Sequence, residues 1–315
     1  MRSSILISFA LGSFLFLSCS NDEPTLENEE LSIDLSNSAR LEAINLYQDF
    51  YLASSTSTSS ELWTGDEPSC NPGTTPQTIK DKIFLRLDYY RKAVGLNNTL
   101  TENDSKSTKA QDAALMMHAN GSLNHFPPNS WKCFTDAGKE AAANSLLTSI
   151  SGAAAIDSYI RDQGAENAAV GHRRWLLWPR LQEMGIGNTS RYNALWVIGN
   201  PGTTPADAPD FIAWPPEGFI PKQVVYPRWS FSIANADFST TTVRMRYKNG
   251  GAVSLQTEEL SGAFADNTIV WQPDFNLNII DSDTVFVVTL NSVGINGEET
   301  DFEYEVVVID ASDEN

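Results

Sequence analysis

Histidine is scarce in this chain, with only His118, His125 and His172. Two of them stand where a site can be built. His125 lies in Asn124-His125-Phe126-Pro127-Pro128, just past an apolar helical run, and the two prolines exclude helix there and stiffen the loop. His172 sits in the first turns of a later helix, whose positive dipole end disfavours a charged imidazole. A neutral imidazole is a good metal ligand. Glu140 falls in the first turn of another helix, Asp162 ten residues before His172, and Glu166 six before it. His125, His172, Glu140 and Asp162, with Glu166 as the alternative to Asp162, form a donor set suited to zinc or another divalent metal in a water-filled cleft. The spacing itself is not diagnostic. There is no His-Glu-x-x-His helix, no Cys-x-x-Cys pair and no Gly-rich phosphate loop.

Other reactive side chains have plainer readings. His118 lies mid-helix beside Met116 and Met117, as a packing residue would. Arg174 is expected to pair with an acid elsewhere in the chain, and Arg173 to be solvated. Ser145 and Ser149 have no evident base or oxyanion donor, so no catalytic residue is assigned. Trp131 and Trp175 fit a groove wall or a core equally well.

The elements that must position these groups follow from periodicity. Leu41, Ile44, Leu46, Tyr47 and Phe50 recur at helical spacing, predicting a helix over 39–53. Thr78 with Asp81 suggests a cap for a second helix that Gly95 stops. A third runs from Ser105 to Asn120, a fourth from a Thr135 cap to about Ser149, a fifth over 153–161 and a sixth over 168–178. Met184-Gly185-Ile186-Gly187 and Ala194 to Ile198 read as short strands. Seven of the fifteen prolines fall in 201–227. Beyond them the pattern is β only, with strands expected at 223–233, 241–248, 252–258, 267–272, 284–291 and 301–309. Six strands in that length suggest a small all-β sandwich, Ig-like or fibronectin-like.

The three cysteines divide by position. Ile5 to Leu17 is an apolar stretch too short to span a bilayer, and Leu15-Phe16-Leu17-Ser18-Cys19 resembles a bacterial lipobox. The expectation is a lipoprotein signal peptide over 1–18, lipidation at Cys19 and an acidic tether over 19–38. Ser20-Asn21-Asp22-Glu23 also resembles acidic surface-export signals that follow a lipidated Cys. Cys70 and Cys133 remain, an even number in an oxidising compartment, and are expected to pair. The chain has 40 acidic against 21 basic residues, a formal net charge of −19. That excess argues against nucleic acid, which needs Lys and Arg to displace counterions. It also argues against broad docking on anionic lipid, leaving the anchor as the membrane contact.

Three stretches carry a family resemblance. Tyr89-Tyr90-Arg91-Lys92-Ala93-Val94-Gly95-Leu96, Ala110-Gln111-Asp112-Ala113-Ala114 and Asn120-Gly121-Ser122-Leu123-Asn124-His125 look like the opening of a CAP domain (cysteine-rich secretory, antigen-5 and pathogenesis-related proteins). The run Ala169 to Arg180, containing Gly171-His172-Arg173, followed by Glu183-Met184-Gly185-Ile186-Gly187, is similar to the bacterial Gly-His-Arg segment and its strand. The resemblance implies an α-β-α sandwich with an open cleft, the cleft histidines mapping onto His125 and His172. Its first glutamate maps onto Glu140, in Gly138-Lys139-Glu140-Ala141 where the family has Gly-Glu-Asn, and its second acid onto Asp162 or Glu166.

The expected fold class is therefore α+β. A CAP domain spans 39–200, a Pro-rich linker 201–221 and a β-sandwich domain 222–315. The function implied is that of an exported, membrane-anchored and surface-exposed protein that binds a small apolar ligand or an extracellular protein. Two alternatives stand beside it. One is a metal-dependent hydrolase using a zinc-bound water with Glu140 as base. The other is an adhesive surface protein built around its β module.

Overall fold

The computed structural model describes residues 37–56, 61–277 and 283–311. The expected signal peptide, Cys19 and nearly all of the acidic tether lie outside these. Residues 37–46 form helix α1, which continues as a π-helical turn, Tyr47–Leu52. Five helices follow: α2 (Gln77–Ala93), α3 (Asp104–Asn120), α4 (Asp136–Asn144), α5 (Ala154–Arg161) and α6 (Gly171–Leu176). Among the described residues no helix is long and apolar enough to cross a membrane.

Side chains set several of these boundaries. The Asn103 carboxamide accepts the Lys106 N–H at the start of α3. The Thr135 hydroxyl accepts the Gly138 N–H at 2.9 Å and caps α4, as its sequence position predicts. Gly121 ends α3 at φ 60°, a backbone conformation that costs glycine no Cβ clash. The expected Thr78 cap is not used: α2 begins after Pro76, and Asp81 instead accepts from the Gln77 side chain at 2.8 Å. The fourth helix is shorter than its periodicity suggests. It stops at Asn144, and Ser145–Thr148 is a fully buried strand, β2. Short apolar runs are ambiguous between helix and strand, and pairing with a distant strand decides this one.

The first sheet orders its strands β1-β3-β4-β2, with β1 at Thr101–Glu102, β3 at Glu183–Asn188 and β4 at Asn193–Trp196. Strand β4 pairs antiparallel with β2, setting Ser145 opposite Trp196 and Thr148 opposite Asn193. Helix α3 lies directly on β3. A Cβ on Gly187 would stand 2.0 Å from the Ala110 carbonyl oxygen, and one on Gly185 2.5 Å from the Lys106 backbone. Two glycines on one face of the strand, with Ala110, Ala113 and Ala114 in the helix, permit this approach. Ala141, Ala142, Leu147, Tyr192 and Trp196 complete a core on that side. Ile83, Leu87, Ile156, Tyr159 and Leu195 belong to the other, larger core. The result is the expected α-β-α sandwich.

The C-terminal part contains two further sheets. One runs β10-β11-β7-β5, with β5 at Ile212–Trp214, β7 at Trp229–Ile233, β10 at Leu255–Thr257 and β11 at Asn267–Pro273. The other runs β6-β13-β12-β8-β9, with β6 at Gly218–Pro221, β8 at Thr242–Tyr247, β9 at Ala252–Val253, β12 at Thr284–Ile295 and β13 at Glu298–Ile309. Strands β5 and β6 fall within the Pro-rich stretch expected as a linker. There, β5 pairs with β7 and β6 runs parallel to β13. Trp214, Trp229, Phe231, Phe286 and Val306 pack in the same hydrophobic core as Tyr89, Tyr90 and Leu176 of the helical part. One core thus crosses position 201, and the described residues from Ala39 onward form one compact unit.

Candidate functional site

The residues around His172 are placed by an unusual backbone. Asp162 ends α5 at φ 51°, and Val170 precedes α6 at φ 45°. A left-handed conformation is rare for a β-branched residue and costs on the order of 1–2 kcal/mol. Val170 is fully buried, so packing holds it there. Together these turns bring the Asp162 carboxylate under the start of α6. Asp162 Oδ1 accepts the His172 Nδ1–H at 2.6 Å. Asp162 Oδ2 accepts the backbone N–H groups of His172 at 2.9 Å and Arg173 at 3.3 Å. The His172 ring lies against Tyr159, with centroids 5.5 Å apart. Its Nδ1 is committed to Asp162, so Nε2 is the nitrogen available for other partners.

His125 is held differently. Its Nδ1 meets the Ala142 carbonyl oxygen at 2.9 Å, tying the exposed loop to α4. Phe126 beside it is 75% exposed and Leu123 is 44% exposed. Glu140 points outward: its Oε2 stands 2.7 Å from Lys109 Nζ, and its side chain is 52% exposed. Glu166 is exposed in a short turn, Ala165–Asn167.

The four-ligand set expected from the sequence is therefore not assembled. Among the described residues no three of His, Cys, Asp or Glu stand together as a metal site. Glu140 is spent on an ion pair with Lys109, and Asp162 is a buried positioning group for His172. A carboxylate that orients a histidine in this way acts behind a ligand, not as one. These residues do not fit a closed zinc site.

Cys70 and Cys133 are joined by a disulfide, as expected. It fastens the loop before α2 to the segment after the His125 loop. His118 packs between the rings of Trp63 and Tyr192, as its sequence context predicts. Burial lowers its pKa, with Arg191 adding to the effect. Trp131 is partly buried against the smaller core, and Trp175 against the larger one.

Arg173 and Arg174 correct the sequence expectation. Arg173 is 1% exposed, not solvated. Its Nε donates to the Ile160 carbonyl at 2.7 Å, and its Nη1 to the Arg228 carbonyl at 2.9 Å and Ser230 Oγ at 3.0 Å. Arg174 donates to three carbonyl oxygens, of Ser261, Phe264 and Asp266, instead of a carboxylate. Both guanidiniums join α6 to the C-terminal sheets. Their place inside the run Arg173-Arg174-Trp175-Leu176-Leu177 was the sequence signal for burial. A second polar link runs through Tyr90, whose hydroxyl is 2.7 Å from both Asp157 and the Tyr226 hydroxyl. Asp157 also pairs with Arg86. Burial raises the Asp157 pKa, and Arg86 opposes it.

The sandwich, the glycine-bearing strand under α3 and the His172 segment define the class. Residues 85–197 match the model of the cysteine-rich secretory protein family, CAP. This stretch of the chain is a CAP domain, continued by a β-rich C-terminal region that lies outside the match. No curated protein matches the chain in sequence.

Proposed function

We propose that this is an exported protein, anchored to a bacterial membrane through Cys19 and surface-exposed, whose CAP domain binds a small apolar ligand or an apolar segment of an extracellular partner. The observation that carries the reading is the exposure of Leu123 and Phe126, two large apolar side chains flanking His125 on an exposed loop. Exposed apolar side chains grouped at one place mark binding surfaces more often than scattered ones do. The apolar stretch ending in Cys19 and the acidic run after it support export and anchoring. The hydrolase alternative needs Glu140 as a base beside a metal-bound water, and the Lys109 ion pair occupies that carboxylate.

Nile red titrated into the purified protein tests the reading. Its emission should rise with the wild type and fall several-fold in Leu123→Ser/Phe126→Ser at unchanged thermal stability. A zinc-dependent esterase or peptidase activity lost in Glu140→Gln would overturn the reading in favour of hydrolysis.

A further inference from the structure

A cavity of about 630 Å³ opens where the turn after α5 meets the approach to β7 and the end of β11. This is within the size range of small-molecule sites. Its polar lining is Arg161, Gln163, Gln223, Tyr226, Arg228 and Gln272, without a carboxylate. That is unexpected in a chain with 40 acidic and 21 basic residues.

The two arginines are not equivalent. Arg228 is fixed: its Nε donates to Glu258 at 3.0 Å and its Nη1 to the Asp162 carbonyl at 2.7 Å, leaving Nη2 without a partner among the described residues. Arg161 is exposed and forms no ion pair among the described residues. Its guanidinium stands 5.1 Å from the centre of the Tyr226 ring. That ring is buried and held by the hydroxyl contact with Tyr90, so it forms a fixed floor. A guanidinium supported on an aromatic face keeps its donor edge free for a planar anion. Of the three glutamines in the lining, Gln223 donates from its amide to Asp310 and Gln272 from its amide to Glu258, which leaves their amide oxygens and the Gln163 amide to face the cavity.

We propose that this cavity binds a small organic carboxylate, with Arg161 as its principal cation, Arg228 Nη2 as a second donor and Tyr226 as its floor. The site is separate in composition from the His125 loop. Two sources share this chemistry, an acidic sugar and a peptide C-terminus.

Calorimetry with the full-length chain tests it using two pairs of probes. One is digalacturonate with its dimethyl ester, the other acetyl-triglycine with its amide. At least one carboxylate should bind, its neutral partner should not, and the member that binds names the source. Arg161→Gln should weaken that binding roughly tenfold or more, since a charge-assisted hydrogen bond is lost. Arg161→Lys should restore part of it, and neither exposed substitution should change thermal stability. No binding by either carboxylate at millimolar concentration, equal binding of the neutral partners, or unchanged affinity in Arg161→Gln would each overturn the proposal. None of these results bears on the Nile red experiment, which probes Leu123 and Phe126.

Discussion

Asp162 Oδ1 lies 2.6 Å from His172 Nδ1, and the same carboxylate caps the backbone N–H groups that open α6. One buried acid therefore fixes both the ring and the helix that carries it. Asp162→Ala should lower unfolding free energy by about 3 kcal/mol, because several hydrogen bonds to a buried charge are lost together. Asp162→Asn should lose less, since its carbonyl oxygen still accepts. Urea denaturation checks this, and a change within error for Asp162→Ala would show that the contact is not structural.

Glu140 and His172 lead to a statement about zinc. With Glu140 paired to Lys109 and facing solvent, we expect it to add little to metal affinity. Zinc binding should be micromolar or weaker, well short of the ~10–16 kcal/mol of closed structural sites. It should be unchanged in Glu140→Gln. Tight binding lost in that variant would mean that the acid leaves Lys109 to join the histidines.

Glu183 gives a pH dependence with a definite sign. The Asn200 amide, Lys106 and the Asn103 amide bond its carboxylate and hold its pKa down, to about 2, well below the ordinary range of a glutamate. A depressed acid stabilises the fold above its ordinary pKa and loses that contribution as pH falls through the folded value. Solvent screening at this partly exposed site reduces the effect, so wild type should exceed Glu183→Gln by about 1 kcal/mol near neutrality, with the gap closing between roughly pH 4.5 and 2. Urea midpoints across that range measure it. A gap independent of pH would contradict the assignment.

The Cys70–Cys133 bridge closes a sequence separation of 63 residues. In the chain-entropy view, removing it costs about 4 kcal/mol. The Cys70→Ser/Cys133→Ser variant should melt well below wild type. Mass spectra of the unreduced protein should show no free thiol at either position.

The shared core and the buried Arg173 and Arg174 imply that helical and β parts unfold together. Far-ultraviolet circular dichroism and tryptophan fluorescence should give one coincident urea transition. Arg173→Met should shift that whole transition by about 2–4 kcal/mol, because the Arg228 and Ile160 carbonyls and Ser230 lose their donor. Two separated transitions would show that the parts are independent domains.

Local chemistry made much of the α-β-α part legible. The Thr135 cap, the glycine after α3 and the alternating glycines of β3 act over a few residues, and each is visible in the sequence. The Cys70–Cys133 pairing followed from counting cysteines in an oxidising compartment. The sequence also located His125 and His172 as the unusual residues. What it could not decide was which groups meet. Pairing of β2 with β4, which sets Ser145 against Trp196, 51 residues further along the chain, converts the end of a helical pattern into strand. Lys109 claims Glu140 across a helix interface. Arg173 and Arg174 find carbonyls 55 to 92 residues further along the chain. These outcomes depend on distances that exist only after the core has closed. Residue type and spacing therefore nominated the donors, and burial and long-range geometry decided whether each became a ligand, an ion pair or a clasp between sheets.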